Sequence, residues 1–168
     1  MIINTLRERG DINWVIDGNS IYSFEGGTTI AAYFSQTRIF GADDRVRSFG
    51  IPGQSWNTML SNHQDIDNAF DSNASQNVLI AAEGSNLLTN FVLSVADAWQ
   101  ITVDYVQSVK QVNPSWQIVL PNILPARRYG DNETANDTFN ARVDAWNALA
   151  AANYKDAGID VLVDYRYE

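Results

Sequence analysis

The 168-residue chain has a formal net charge of −9, from 20 acidic and 11 basic residues, and 45% of its residues are hydrophobic. This composition supports one folded domain with a sizeable core, and its charge argues against a nucleic-acid backbone or an anionic membrane surface as the partner. Because the chain contains no cysteine, disulfides, thiolate metal sites and cysteine nucleophiles are excluded. We expect no signal peptide and no membrane span, since the apolar runs are short.

The first predicted strand is the apolar run at residues 13–17, which follows a polar lead-in segment. Asp17-Gly18-Asn19 then forms a tight turn, which places Ser20 just past the carboxyl end of the strand. Open α/β sheets bind their ligands at this edge. Ser20 is therefore a candidate nucleophile, although a serine in this context is also common as a plain turn or helix-capping residue.

Further along the chain we predict a helix at residues 30–34 and a short second strand at residues 45–49. A glycine-containing turn at residues 50–53 follows the strand. A helix is predicted over residues 55–70, where apolar side chains recur with imperfect helical spacing, at Trp56, Met59, Leu60, Ile66 and Phe70.

The clearest buried strand is the apolar run at residues 77–82, which leads into the turn Gly84-Ser85-Asn86. A long helical pattern extends from Phe91 to Val109. It ends before Asn113 because the residue that precedes a proline disfavours the helical conformation.

The last predicted elements are a strand at residues 116–120, an alanine-rich helix at residues 134–157 and a strand at residues 160–164. Gly158 ends the helix. Because strands alternate with helices throughout, we predict a single domain, residues 1–168, with a parallel sheet covered on both faces.

Three turns follow the first three strands and therefore lie along one edge of this sheet. Ser20 could supply a nucleophilic hydroxyl, Gly53 a backbone N–H without an obstructing side chain, and Asn86 a side-chain amide. Converging donors of this kind stabilise the oxyanion of an acyl-transfer reaction.

These turns resemble the motif blocks of the SGNH, or GDSL, hydrolases. Gly18-Asn19-Ser20-Ile21 resembles the family's Gly-Asp-Ser-Leu/Ile block, with Asn19 in place of aspartate. The turn at residues 50–53 resembles the Gly-x-x-Gly block. The third turn resembles the Gly-x-Asn-Asp block, with Leu87 in place of its aspartate.

The resemblance implies a flavodoxin-like three-layer α/β/α sandwich with a five-stranded parallel sheet in the order 2-1-3-4-5. It also implies that Ser20 is the nucleophile, and that the N–H groups of Ser20 and Gly53 and the side chain of Asn86 bind the oxyanion. The family's fourth block, Asp-x-x-His after the fifth strand, is missing. Tyr167 stands three residues after Asp164, at the position of the histidine. A tyrosine cannot replace it, because its pKa is too high for it to act as a base near neutral pH. We therefore expect the C-terminal segment to be lacking and the base to come from outside these residues or from a partner chain.

The remaining candidate residues have simpler interpretations. The single histidine, His63, is more typical of a surface or capping residue than of a base. Arg127-Arg128 could bind an anion. Three acidic pairs could bind a cation, and these are Asp43-Asp44, Asp65/Asp67 and Asp131/Glu133. In each case the alternative is that the residues are exposed loop charges. No dinucleotide or phosphate-loop pattern is present, so we expect no cofactor.

Two functions fit these observations. The first is a serine esterase that removes acyl groups, O-acetyl groups above all, from carbohydrate. The second is a catalytically incomplete module that binds a glycan or builds an assembly on a secreted or viral surface. The retained Ser20, Gly53 and Asn86 favour the esterase, whereas Asn19, Leu87 and the missing histidine favour the module.

Overall fold

The structure, a computed structural model, describes residues 11–19, 44–127, 130 and 132–164. Five parallel strands form one sheet in the order β2-β1-β3-β4-β5. They are β1 (Ile12–Gly18), β2 (Arg45–Ser48), β3 (Gln76–Ala82), β4 (Trp116–Pro121) and β5 (Val161–Val163). The helices among the described residues are α1 (Trp56–Ser61), α2 (Gln64–Asn68), α3 (Ser85–Leu88), α4 (Val95–Val112) and α5 (Glu133–Asn153). The sheet and its strand order confirm the predicted α/β fold.

β1 and β3 form the centre of the sheet. They pair in parallel register from Ile12 opposite Gln76 to Gly18 opposite Ala82. Every residue of β1 is buried, as is typical of a strand that is covered on both faces. Because the two strands end level with each other, the turns that follow them start side by side.

The main core lies on one face of the sheet. Side chains from β1, β3 and β4 pack there against all the helices named above, and these strand residues are Val15, Leu79, Ala81, Ile118 and Leu120. The opposite face carries a second apolar cluster of Ile12, Trp14 and Val78. The helix predicted at residues 30–34 lies outside the described residues.

The prediction of one helix over residues 55–70 is wrong, because the structure has two short helices there. At Asn62 the backbone leaves the helical region, with φ −112° and ψ 16°, and α2 starts two residues later. Met59 and Ile66, on either side of this break, are both buried in the main core. Ser55 occupies the N-cap of α1, but its side chain makes no capping hydrogen bond.

The long helices α4 and α5 differ from prediction mainly at their ends. α4 begins at Val95 because the Ser94 side chain caps it, accepting a hydrogen bond of 3.0 Å from the Asp97 N–H. Phe91 therefore lies in the turn before the helix. α5 ends at Asn153, four residues before the predicted end, and a turn leads from there to Gly158 at φ +86°.

A buried polar cluster, here called the amino-edge cluster, lies near the start of β1 and β3. Asn13 Nδ2 donates to Asn77 Oδ1 at 2.7 Å and to the Ala69 carbonyl at 2.8 Å. Arg47 donates to Asn13 Oδ1 at 2.9 Å, and Asn77 exchanges hydrogen bonds with the backbone of Asp71. These bonds fasten the loop before β3 to the amino ends of the strands.

Candidate functional site

The first turn at the carboxyl edge is connected to the third turn. Asn19, only 4% exposed, donates through Nδ2 to the Ser85 hydroxyl at 3.1 Å. Asn19, which stands where the family motif has aspartate, therefore joins the first turn to the third. Ser20, the predicted nucleophile, lies outside the described residues, and its role stays a prediction.

The second turn holds Gly53 in a left-handed conformation, with φ +76°. The Ile51 N–H donates to the Gly18 carbonyl at 3.0 Å, which joins this turn to the end of β1. A Cβ atom added at Gly53 would meet nothing within 4 Å. Backbone conformation therefore favours glycine here, and the space beside it is open.

The third turn brings the Asn86 side chain to the second turn. Asn86 is the second residue of α3, and its Nδ2 donates to the Gln54 carbonyl at 2.8 Å, next to Gly53. Its backbone N–H donates to Glu83 Oε1 at 3.0 Å. The structure thus brings two of the three predicted site residues, Gly53 and Asn86, together at the carboxyl edge of the sheet.

Gly84, which opens the third turn, packs tightly against the loop after β4. Its φ is +143°, and a Cβ atom at this position would lie 2.2 Å from Ile123 Cδ1. Ile123 is itself fixed by the Asn147 side chain, which accepts from its N–H at 3.0 Å and donates to its carbonyl at 2.8 Å. The positive φ therefore favours glycine at position 84, and any larger residue would displace the Ile123 side chain.

The segment that follows α3 is held by Arg142 of α5. Its guanidinium donates to the carbonyls of Leu88 at 3.0 Å, Asn90 at 3.1 Å and Leu93 at 2.6 Å. The same guanidinium lies over the Phe91 ring, 5.8 Å from its centroid. One cation therefore fixes the chain between α3 and α4.

Sequence reasoning missed a buried carboxylate directly beneath these turns. Asp17, 4% exposed, accepts from Gln54 Nε2 at 2.8 Å and from the Tyr105 hydroxyl at 2.7 Å. Gln54 Nε2 also donates to the Gly18 carbonyl at 2.6 Å. The one signal in the sequence was an aspartate at the end of an otherwise apolar strand.

Compared with water, the environment of Asp17 disfavours the charged form of its carboxyl group. Burial raises the pKa of this carboxyl from 3.8 to about 6, although its hydrogen bonds to Tyr105 and Gln54 oppose the rise. Burial and the nearby Asp17 also raise the pKa of Tyr105 well above its ordinary value. The carboxyl is therefore poised to change charge in the mildly acidic range.

The other predicted candidates have structural partners. His63 occupies the N-cap position of α2, where its Nδ1 lies 2.8 Å from Asp67 Oδ2, but its side chain makes no capping hydrogen bond. Asp44 accepts hydrogen bonds from the Ile12 N–H at 3.0 Å and Trp14 Nε1 at 3.1 Å.

Arg127 forms an ion pair with Glu133, and Arg128, Asp43 and Asp131 lie outside the described residues. Among the described residues, no three His, Asp or Glu side chains lie close enough to hold a metal ion. Within that same part of the chain, no helix combines the length and apolar character needed to cross a membrane.

Comparison with known proteins finds no matching family model and no matching curated sequence. Solved structures do match. A GDSL-like lipase from Bacteroides thetaiotaomicron has a TM-score of 0.66 and 18% identity, covering 95% of this chain and 70% of that one. An extracellular lipase from Streptomyces rimosus has a TM-score of 0.61 and 15% identity, covering 91% of this chain and 80% of that one.

A member of the lipolytic G-D-S-L family from Veillonella parvula has a TM-score of 0.59 and 12% identity, covering 89% of this chain and 76% of that one. At such identities the likeness concerns the fold. Together with the three turns at the carboxyl edge, it confirms the resemblance seen in the sequence: this chain has the fold of the SGNH/GDSL hydrolases.

Proposed function

We propose that the chain is an ester hydrolase of the SGNH type, with Ser20 as the nucleophile. In this proposal the N–H groups of Ser20 and Gly53 and the side-chain amide of Asn86 bind the oxyanion. The observation that supports it most is the 2.8 Å hydrogen bond from Asn86 Nδ2 to the Gln54 carbonyl. This bond holds the amide beside Gly53, at the edge where parallel sheets bind ligands.

The reaction has two steps. The Ser20 hydroxyl oxygen attacks the ester carbonyl carbon while a base removes the hydroxyl proton, and the carbonyl oxygen becomes the oxyanion that the three donors stabilise. The ester C–O bond then breaks, the alcohol leaves with the proton, and an acyl-serine remains. Water attacks the acyl-serine by the same route and releases the acid.

The base is the incomplete part of this site. The 168 residues contain one histidine, His63, which is bonded to Asp67 on its own helix. We propose that the base is supplied by residues that adjoin this sequence or by a partner chain. Without such a base, a serine hydroxyl is a poor nucleophile.

We further propose O-acyl groups on carbohydrate, most of all O-acetyl groups, as the substrate class. The net charge of −9 supports a neutral substrate over an anionic one. The third turn has two partly exposed polar side chains, Ser85 and Asn86, of the kind that hydrogen-bond to hydroxyl groups. The open space beside Gly53 leaves room for an acyl group.

The alternative is a module that keeps the fold and has lost the reaction. One observation favours it. Leu87 stands where the family motif has aspartate, and this side chain is 4% exposed within the main core. That position therefore contributes packing, and a binding function would need no proton transfer.

The test is hydrolysis of p-nitrophenyl acetate by the 168-residue chain and its variants. We expect a residual rate roughly a thousandfold above that of water, because an oxyanion hole acts without a complete triad. Ser20→Ala and Asn86→Ala should lower this rate, whereas the surface variants Ser72→Ala and Asn68→Ala should not. A C-terminal extension that carries Asp-x-x-His should raise the rate by several orders of magnitude.

Two outcomes would contradict the proposal. Rapid turnover that His63→Ala abolishes would place the base within this chain. If neither the chain nor its extended form reacts, and Ser20→Ala changes only the binding of an acetylated glycan, the module is correct.

A further inference from the structure

The proposed reaction makes no use of Asp17, although this carboxyl is buried at the end of β1. Placing a carboxylate in a protein interior is unfavourable unless it makes compensating hydrogen bonds. Both Asp17 oxygens have such bonds, one to Gln54 and the other to Tyr105. No ion pair between described residues includes Asp17. Its bonds therefore go to neutral donors beneath the proposed site.

Gln54 connects Asp17 to both described oxyanion donors. Its side chain bonds to Asp17 and to the Gly18 carbonyl. Its backbone carbonyl accepts the bond from Asn86 Nδ2, and it directly follows Gly53. The Gln54 side chain therefore ties to β1 a residue whose backbone adjoins Gly53 and binds Asn86.

We propose that Asp17 is a positioning residue for the oxyanion donors: its carboxylate holds the Gln54 side chain, and Gln54 in turn fixes the Gly53 N–H and the Asn86 amide. This inference rests on the proposed function of Gly53 and Asn86. It goes beyond that function because the residue lies beneath the site and acts through another side chain.

The surroundings of Asp17 make the positioning sensitive to pH. The titratable groups that face it are Tyr105 of α4 and, at longer range, Asp65 of α2, which also raises the pKa of the carboxyl. Beside it on the flanking strands lie Ala81 in β3 and Phe49 after β2. Above about pH 6 the carboxylate form predominates, and its bond to Gln54 is charge-assisted and therefore stronger.

The first experiment measures position without requiring any activity. In NMR spectra of the 168-residue chain, the Gly53 amide and the Asn86 side-chain amide should titrate together with a midpoint near 6, the pKa of Asp17. Asp17→Asn should abolish this titration. Asp17→Ala should shift both signals at pH 7.5 and leave the side-chain amides of Asn13 and Asn77 unchanged.

The second experiment uses the Ser20-dependent hydrolysis of p-nitrophenyl acetate. Asp17→Ala should lower kcat about 10–100-fold with little change in KM, because misplaced donors weaken binding of the transition state only. Asp17→Asn should restore most of the rate, since an asparagine can accept from Gln54 and donate to the Tyr105 oxygen. Val15→Ala, which truncates a fully buried side chain of the same strand, is the control for general destabilisation.

Opposite results overturn the inference. One is that the NMR signals of the Gly53 amide and the Asn86 side-chain amide change neither with the titration of Asp17 nor in its variants. The other is that Val15→Ala lowers kcat as much as Asp17→Ala does. A rate that does not depend on Ser20 refutes the proposed function instead, and the NMR titration then still decides whether Asp17 positions the two groups.

Discussion

The two edges of the sheet both carry buried polar side chains, but they use them differently. At the amino edge, Asn13 and Asn77 bond to each other and to the backbone of the loop before β3. At the carboxyl edge, Asn19 and Asn86 bond from one strand-end turn to another. The first arrangement fastens a loop to the sheet, whereas the second sets the relative positions of the strand-end turns.

Charge separates the edges further. The amino edge includes the cations Arg45 and Arg47, and the pKa of Asp71 is lowered there, chiefly by the hydrogen bond from the Asn73 N–H. At the carboxyl edge burial raises the pKa of Asp17. A carboxylate that is stabilised in its charged form is typical of a structural role, while one that is poised near neutrality is more typical of a functional site.

The largest expected effect is that of Gly84→Ala. The new Cβ would collide with Ile123 Cδ1 at 2.2 Å, in a conformation that L-residues rarely adopt. We expect the free energy of unfolding to fall by about 4 kcal/mol, measured by urea denaturation.

Gly130→Ala is the matched control for that variant. Gly130 also has a positive φ, +58°, but a Cβ atom there would meet nothing within 4 Å. It should lose only about 1–2 kcal/mol, for the backbone conformation alone. Equal losses in the two variants would show that the contact with Ile123 is unimportant.

Asn77→Ala should weaken folding and spare the site. It removes the amide that bonds to Asn13 and to both backbone groups of Asp71, and it leaves buried polar groups unsatisfied. We expect a loss of about 3 kcal/mol in denaturant titrations. The Ser20-dependent rate per folded molecule should not change, in contrast to Asn86→Ala. A reversed pattern would mean that the edges do not differ in this way.

Asp17→Asn should change how stability depends on pH. The pKa of Asp17 is about 6 in the fold and 3.8 when exposed, so the unfolded chain loses its proton first as the pH rises. Stability from this group is therefore greatest below pH 4 and falls until about pH 6. The variant should lack this fall and be more stable than the parent chain at pH 8, by roughly 3 kcal/mol. Thermal unfolding between pH 4 and pH 8 measures this difference in stability. If the stability of the two proteins changes equally with pH, the prediction is wrong.

Arg45→Ala should have the smallest effect. Arg45 pairs with Asp71 at the amino edge, but its side chain is 64% exposed. We expect less than about 1 kcal/mol, and less still in 0.5 M salt, because solvent and ions screen exposed pairs. A loss as large as that of Asn77→Ala would indicate that the cluster depends on this ion pair.

The sequence predicted the fold well because strands in a parallel sheet are continuous apolar runs. Residues 77–82 have this pattern, and β3 spans Gln76–Ala82. Local signals failed where tertiary packing decides. Asn62 interrupts the helix predicted over residues 55–70, and the four-residue α3 is too short to show any periodicity.

The site was predictable in outline and not in its supporting contacts. Gly53 and Asn86 stand out because each belongs to a turn after an apolar run. Asp17 does not, since its partners Gln54 and Tyr105 are 37 and 88 positions away in the chain. No local pattern reports contacts over such separations, and only the folded structure shows that these three side chains meet.

The Arg142 contacts have a consequence for how a ligand could enter. Residues 88–93 cannot swing outward unless α5 moves with them or three carbonyl contacts break. The turn at residues 51–53 is exposed and has open space at Gly53. The approach path of a ligand is therefore expected over this second turn, so bulky side chains at Ile51 or Pro52 should slow association more than equally bulky ones at Val92.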